Sequence, residues 1–494
     1  MKTDKLRIVI IVICPGLAAI SIISYLITSR LIYRIGFPLD DAWIHQTYAR
    51  NLGLYGDWAY IPGEPSAGST SPLWSGVLAV GHFLGLGPYI WTYLLGWIFL
   101  AVLVGFGITI VGKFNISDTN LAVVTGIVLT FEWHLVWAAA SGMETILFSC
   151  FILIILNALL RPNKSWFIIG ALIGLCIYIR PDGLTLLGPV LFVLIAQKNK
   201  LRKKLSSGLN FFVGVLLLFV PYLVANLLLS GSYWPNTYYA KHAEYSIELS
   251  DPLGWRLLEQ FSLPLVGVGI LLLPGFTYFL YHTIKNRSWE KLSLALWAIG
   301  FLVVYAVRLP VTYQHGRYVI PMMPVYFICA LLGTFIWLKP NAASITKRVL
   351  SKTLVVSGAL ILFAFWMLGA RSYGNDVAII ESEMVNTANW IASDTEKDAI
   401  IAAHDIGALG YFGQRSLIDL AGLVSPDVIP FVRDEVRLAK YLDEQGVRYL
   451  VTFPGWYPLL INDLRIVYQS KAPFAPQQGG ENMRIYYWNE IAKP

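Results

Sequence analysis

Phe37-Pro38-Leu39-Asp40-Asp41-Ala42-Trp43-Ile44-His45 is the stretch on which the reading of this chain turns. It follows an apolar run and puts two adjacent carboxylates just past the end of that run. Ile44, Tyr48 and Leu52 recur at helical spacing, so Asp40-Asp41 opens an expected amphipathic helix. One aspartate is accounted for as an N-cap that complements the positive helix end. The second, beside Trp43 and with no lysine nearby, needs another reason. A general base, or an acceptor for a substrate hydroxyl, supplies one.

The surroundings of that loop are apolar. Of 494 residues, 56% are hydrophobic and 14% charged, against about a quarter charged in soluble domains. Apolar blocks lie at about 8–30, 88–112, 119–138, 143–160, 165–180, 183–197, 208–229, 263–284, 291–307, 318–338 and 353–370, each near the length that crosses a bilayer. The expectation is a polytopic α-helical membrane protein with about 11 crossings over residues 1–370 and a small α/β domain over 371–494. Cys14, Cys150, Cys176 and Cys329 all sit inside apolar blocks without CxxC spacing, so neither a disulfide framework nor a zinc site is expected. Met1-Lys2-Thr3-Asp4-Lys5-Leu6-Arg7 ahead of the first block reads as an uncleaved signal anchor.

Charge sets the orientation. Alternating from a cytoplasmic N-terminus, one set of loops holds 18 Lys and Arg, from Lys2, Lys5 and Arg7 to Lys347, Arg348 and Lys352, against only Asp4, Asp118 and Glu290. The other set holds eight bases and ten acids, so the basic loops are assigned to the cytoplasm. This count requires 72–87 to lie at the interface rather than cross. The net charge of +7 is then a topology signal, and no nucleic-acid partner is expected. The tail, with 16 acids and 11 bases, falls outside with the first loop, 31–87.

Every unusual polar cluster falls on that same outer side. Glu144 in Ser141-Gly142-Met143-Glu144-Thr145 fits a capping box as well as a site. Arg180 and Asp182 in Arg180-Pro181-Asp182-Gly183 fit either a turn closed by an Arg–Asp pair or a phosphate ligand. Asn236, Tyr238, Tyr239, Lys241 and His242 crowd one long loop, where the aromatics fit an interfacial belt or a sugar platform. His315 and Arg317 sit in a short loop, as donors that a phosphate at the membrane surface needs. Glu132 and His134, inside a crossing, are candidate cavity liners.

Taken in order, these segments resemble a known family. The first loop FPLDDAWIHQTYARNLGLYGDWAYIPGEPSAGSTSPLWS, then SGMET, RPDG, PNTYYAK, QHGRY and HDIGALGYF with DLAGL, is similar to the GT-C glycosyltransferases, in the branch of mycobacterial terminal arabinofuranosyltransferases. The resemblance implies an enzyme of the bacterial inner membrane and cell-envelope biogenesis. It would take a sugar, arabinofuranose in that branch, from a polyprenyl-phosphate donor and pass it to an extracytoplasmic glycan, lipid or protein. It implies catalysis by the first-loop acid, which maps onto Asp40 with Asp41 as its neighbour, and donor-phosphate binding by Arg180, Lys241, His315 and Arg317. Trp43 and His45 depart from the pattern of related loops. No protein metal site or cofactor is assigned, and a divalent cation stays open. The rival class is a transporter or flippase of polyprenyl-linked saccharides, which should carry ionisable residues near the midplane and repeat-related broken helices.

Overall fold

A computed structural model describes residues 12–114, 119–338 and 344–488. The basic N-terminus with Lys2, Lys5 and Arg7, and the loop charges Asp118 and Lys339, lie outside the described residues. Among the described residues, each of the eleven apolar blocks carries a helix or a bent helix pair. Six helices among the described residues are long and apolar enough to cross a bilayer, and two bent pairs qualify if each counts as one span. Thr119–Phe131 with Trp133–Ala140 bends by 52°, and Leu253–Leu265 with Gly269–Lys285 by 106°. Thr145–Leu159, Trp166–Ile177 and Pro181–Ala196 are shorter apolar helices. The protein is thus a multi-pass membrane protein.

Glycines let these helices approach closely. A side chain at Gly170 would strike the Phe211 carbonyl, and one at Gly214 the Phe167 carbonyl, so helices Trp166–Ile177 and Leu201–Ser230 pack backbone to backbone. Small residues serve this purpose in membrane bundles, where dispersion and close contact replace the hydrophobic effect.

The first loop folds onto the end of the bundle. Helix Asp41–Tyr55 packs on helix Pro72–Phe83, with the short strands β1 (Ala59–Ile61) and β2 (Glu64–Pro65) between them. Pro72 begins its helix, where a missing N–H costs nothing. Trp74 and Leu78 face inward, whereas Val80, Phe83 and Leu84 are exposed.

Two local expectations are corrected. Neither aspartate caps its helix: Asp40 stands at the N-cap position, but its side chain makes no cap hydrogen bond. The capping box is also absent. Ser141 Oγ donates to the Ala138 carbonyl, and Glu144 turns to an arginine instead.

The last long helix runs unbroken from Ile345 to Ile380, then passes through Glu381–Val385 into helix Asn386–Asp394. The tail sheet comprises β3 (Ile400–Ala403), β4 (Ser416–Asp419), β5 (Tyr449–Thr452), β6 (Arg465–Gln469) and β7 (Arg484–Tyr487), in the order β4-β3-β5-β7-β6. β3 is parallel to β4 and β5, and helix Glu435–Glu444 lies in the crossover to β5. β7 is antiparallel to both of its neighbours. Alternation along β3 decides what the sheet covers. Ile401 and Ala403 join the core shared with the membrane helices, and Ala402 joins a second core with Leu438, Leu442 and Leu450.

Candidate active site

Asp40 and Asp41 are adjacent in sequence and go to different partners. Asp40 is buried, and the N–H groups of Gly407 and Ala408 donate to its Oδ2 at 2.6 Å and Oδ1 at 2.8 Å. Burial first, then the charge of Asp405, push the Asp40 carboxyl up to about 8 against those two hydrogen bonds. Asp41 is half-buried and accepts an ion pair from Arg317 Nη2 at 2.5 Å, with Lys241 Nζ 3.8 Å away. Burial alone would raise Asp41, but Arg317 and Lys241 outweigh it and hold the carboxyl well below its usual range.

Helix Asp41–Tyr55 delivers Asp41, and the loop ahead of helix Met323–Leu338 delivers Arg317. That loop turns sharply: Gln314, His315 and Gly316 have φ of 53°, 59° and 65°. Non-glycine residues hold this left-handed conformation only where their surroundings over-determine it. His315 is fixed between Trp133 and Trp137, each at 5.3 Å, and its Nε2 lies 2.8 Å from Asp376 Oδ2. The turn therefore points His315 into the packing and leaves Arg317 facing Asp41.

Beside Asp41 lies a cavity of about 150 Å³. Arg180 forms its deep wall, donating to Asp182 at 2.9 Å, Glu144 at 3.1 Å and Tyr305 at 3.1 Å, while Tyr305 donates to Asp182 at 2.6 Å. The Arg–Asp pair expected of a turn thus exists and also lines the cavity. His45 reaches Ser75 Oγ at 3.0 Å and Glu144 at 3.6 Å. Tyr318 Oη accepts from Lys241 Nζ at 3.1 Å and from Arg317 Nη2 at 3.0 Å. Arg308 donates to Tyr238 at the rim. Arg317 is buried, yet its Nε and Nη1 hydrogens meet no partner among the described residues.

A second cavity, of about 770 Å³, opens between the first loop and the tail. It shares Asp41, Ile44, Lys241, Arg317 and Leu423 with the first, so the charged trio Asp41, Lys241 and Arg317 stands where the two spaces meet.

Of the residues singled out in sequence, Asp41, Glu144, Arg180, Asp182, Tyr238, Lys241, His242 and Arg317 line the first cavity. Asp40 faces the second. Asn236, Tyr239 and His315 line neither. Asn236 is buried and its N–H donates to the Ala67 carbonyl, and Tyr239 packs on Tyr238. Glu132 and His134 are buried, pair with each other at 2.7 Å, and also lie outside both cavities. Tyr305, Asp376 and Trp456 were not picked out, and Tyr318, His404 and Asp405 entered only as members of QHGRY and HDIGALGYF, without a role. Tyrosines in apolar helices carry no local signal, and the tail residues matter only because the sheet docks. Among the described residues, no group of three or more His, Cys, Asp or Glu side chains is arranged to hold a metal ion.

Comparison with known proteins bears on this arrangement. Residues 375–486 match a family described as a domain of unknown function (DUF8728). No curated protein sequence matches the chain. Among solved structures, ArnT from Cupriavidus metallidurans bound to undecaprenyl phosphate is similar at a TM-score of 0.62 and 16% identity, over 97% of this chain and 98% of that one. The Archaeoglobus fulgidus oligosaccharyltransferase is similar at 0.59 and 12% identity, over 97% of this chain and 75% of that one. The mycobacterial arabinofuranosyltransferase AftD is similar at 0.53 and 14% identity, over 96% of this chain but 40% of its own length. With similarity to these structures over nearly the whole of this chain, the protein has the GT-C glycosyltransferase fold.

Proposed function

We propose that this protein transfers a sugar from a polyprenyl-phosphate donor to a hydroxyl of an acceptor on the outer face of the membrane. The observation that carries this reading is Arg317, buried with two unpartnered donors beside Asp41 and Lys241. An arginine with free N–H groups at a bilayer surface is a phosphate ligand in waiting. A sugar phosphate ester is already activated, so the site needs cations for the departing phosphate and a base for the acceptor. The anomeric carbon–oxygen bond breaks with its electron pair going to phosphate, the acceptor oxygen bonds to that carbon, and the acceptor proton goes to Asp41.

Asp41 is the better base of the pair, because both Asp40 oxygens are occupied by main-chain donors. With Arg317 and Lys241 drawn onto the donor phosphate, Asp41 loses the charges that depress it and recovers basicity. One base and one departing phosphate favour direct displacement. The motif order ranks an arabinofuranosyl donor first among sugars to try.

The test is release of polyprenyl phosphate from a panel of polyprenyl-phosphate sugars by the purified protein. Asp41→Asn is expected to lose about 10²–10⁴-fold in turnover, the range of a lost acid–base group, while still binding polyprenyl phosphate. Near-normal turnover by that variant would remove Asp41 from the chemistry.

A further inference from the structure

The tail-facing cavity has a chemistry of its own. At about 770 Å³ it falls within the ~300–1,000 Å³ of pockets that enclose small organic ligands. Asp41, Lys241 and Arg317 form one side, and the tail supplies the opposite wall through His404, Asp405 and Trp456. His404 uses both ring nitrogens: Nδ1 meets Tyr457 Oη at 2.7 Å, and Nε2 meets Glu244 Oε1 of the membrane part at 3.1 Å. Two residues beyond Asp405, Gly407 and then Ala408 donate to Asp40. Asp405 is therefore held in place from both sides by contacts with the membrane part.

What it is held for is legible in its hydrogen bonding. Asp405 Oδ2 is buried and has no hydrogen-bond partner among the described residues. A buried acceptor left unmet is costly, and this one differs from the other unmet acceptors among the described residues in belonging to a residue that lines the tail-facing cavity. An ionised carboxylate only accepts, so its complement must donate. On the tail side, away from Lys241 and Arg317, a complement bearing phosphate or carboxylate is disfavoured, because Asp405, Glu244 and Glu435 outnumber Arg433 there. Trp456 is 48% exposed and meets His404 edge to face at 4.9 Å and 79°, which leaves apolar ring surface beside those acceptors. Adjacent hydroxyl acceptors and an aromatic face match a sugar ring, which has hydroxyls at its rim and C–H groups on its face.

We propose that this cavity is the acceptor subsite and that it takes a neutral saccharide terminus, whose hydroxyls donate to Asp405 and whose ring lies against Trp456. The assignment of this ligand as acceptor rests on the transfer reading above. The saccharide then enters from the tail side, presents one hydroxyl to Asp41, and meets the donor where the two cavities join.

The experiment uses the full-length protein in lipid nanodiscs and two separate probes. Saturation-transfer NMR follows binding of neutral methyl glycosides (arabinofuranoside, mannopyranoside, glucopyranoside) and of methyl glucuronide, and calorimetry follows undecaprenyl phosphate. At least one neutral glycoside is expected to bind the wild type and the glucuronide is not. Asp405→Asn and Trp456→Ala are each expected to weaken that glycoside about tenfold, the loss of one good contact, with undecaprenyl phosphate binding unchanged, which also shows the variants folded. No neutral glycoside binding to a wild type that binds undecaprenyl phosphate overturns the subsite, as does equal affinity in both variants. Failure of undecaprenyl phosphate to bind the wild type overturns the donor reading and the acceptor role, whereas a glycoside that binds the wild type and is lost in both variants still supports the saccharide site.

Discussion

At the scale of single residues, the Asp40-Asp41 pair divides one job in two. Asp41 faces the cations and Asp40 the tail, so substitutions at the two positions should fail differently. Asp41→Asn is expected to cut transfer about 10²–10⁴-fold in a folded protein. Asp40→Ala strands the N–H groups of Gly407 and Ala408 at about 1–3 kcal/mol each. It is expected to loosen the tail, read as faster limited proteolysis near 404–413, with donor binding retained. Equal proteolysis of wild type and Asp40→Ala would show that the contact does not hold the tail. The chain itself revealed that two carboxylates lay beyond a crossing, but not which one faces a ligand. That depends on a main-chain contact 367 positions away. His315 and Arg317 show the same limit. Two residues apart, they looked equivalent as donors, and a left-handed turn sends them to opposite sides.

At the scale of elements, the tail docks by backbone as much as by side chain. A Cβ at Gly407 would collide with the Asp40 carbonyl, so Gly407→Ala must push the 406–410 segment off the first loop. Its melting temperature should fall and tail proteolysis should rise, with the bundle intact. The second clamp, His404 with Glu244, carries a pH signature. Burial alone would lower His404, but the hydrogen bond and charge of Glu244, aided by Asp405 and Asp419, outweigh it and raise the imidazole above its usual value. The folded pKa exceeds the unfolded one, so the stabilisation is complete below about pH 6.5 and is lost as pH rises through the folded pKa. The melting-temperature gap between wild type and His404→Gln should therefore shrink from about pH 5.5 to 9. A gap that widens with pH would reverse the assignment. The elements were largely legible in sequence, because hydrophobic period and turn residues act locally. The sheet's order, and the edge by which it meets the first loop, were not.

At the scale of the whole molecule, the inference from charge is that the loop at 198–204 faces the cytoplasm and the tail faces outward. The four native cysteines are buried, so engineered thiols will report with little background. A membrane-impermeant maleimide should label Asp427→Cys, an exposed tail position, on intact cells, and Lys203→Cys only after permeabilisation. The opposite pattern would invert the protein and place both cavities on the inner face.

The unbroken helix Ile345–Ile380 has one more consequence. Its 36 residues span about 54 Å at ~1.5 Å each, whereas the hydrocarbon slab is about 30 Å thick. An α-helix hardly stretches, so this rod works as a ruler. One end begins beside Lys347 and Arg348 and the other leads into the sheet domain, so the rod would set how far above the lipid the proposed saccharide wall stands. A bilayer a few ångströms thicker or thinner would tilt the rod rather than lengthen it, and the tilt would change the gap between the tail wall and Asp41.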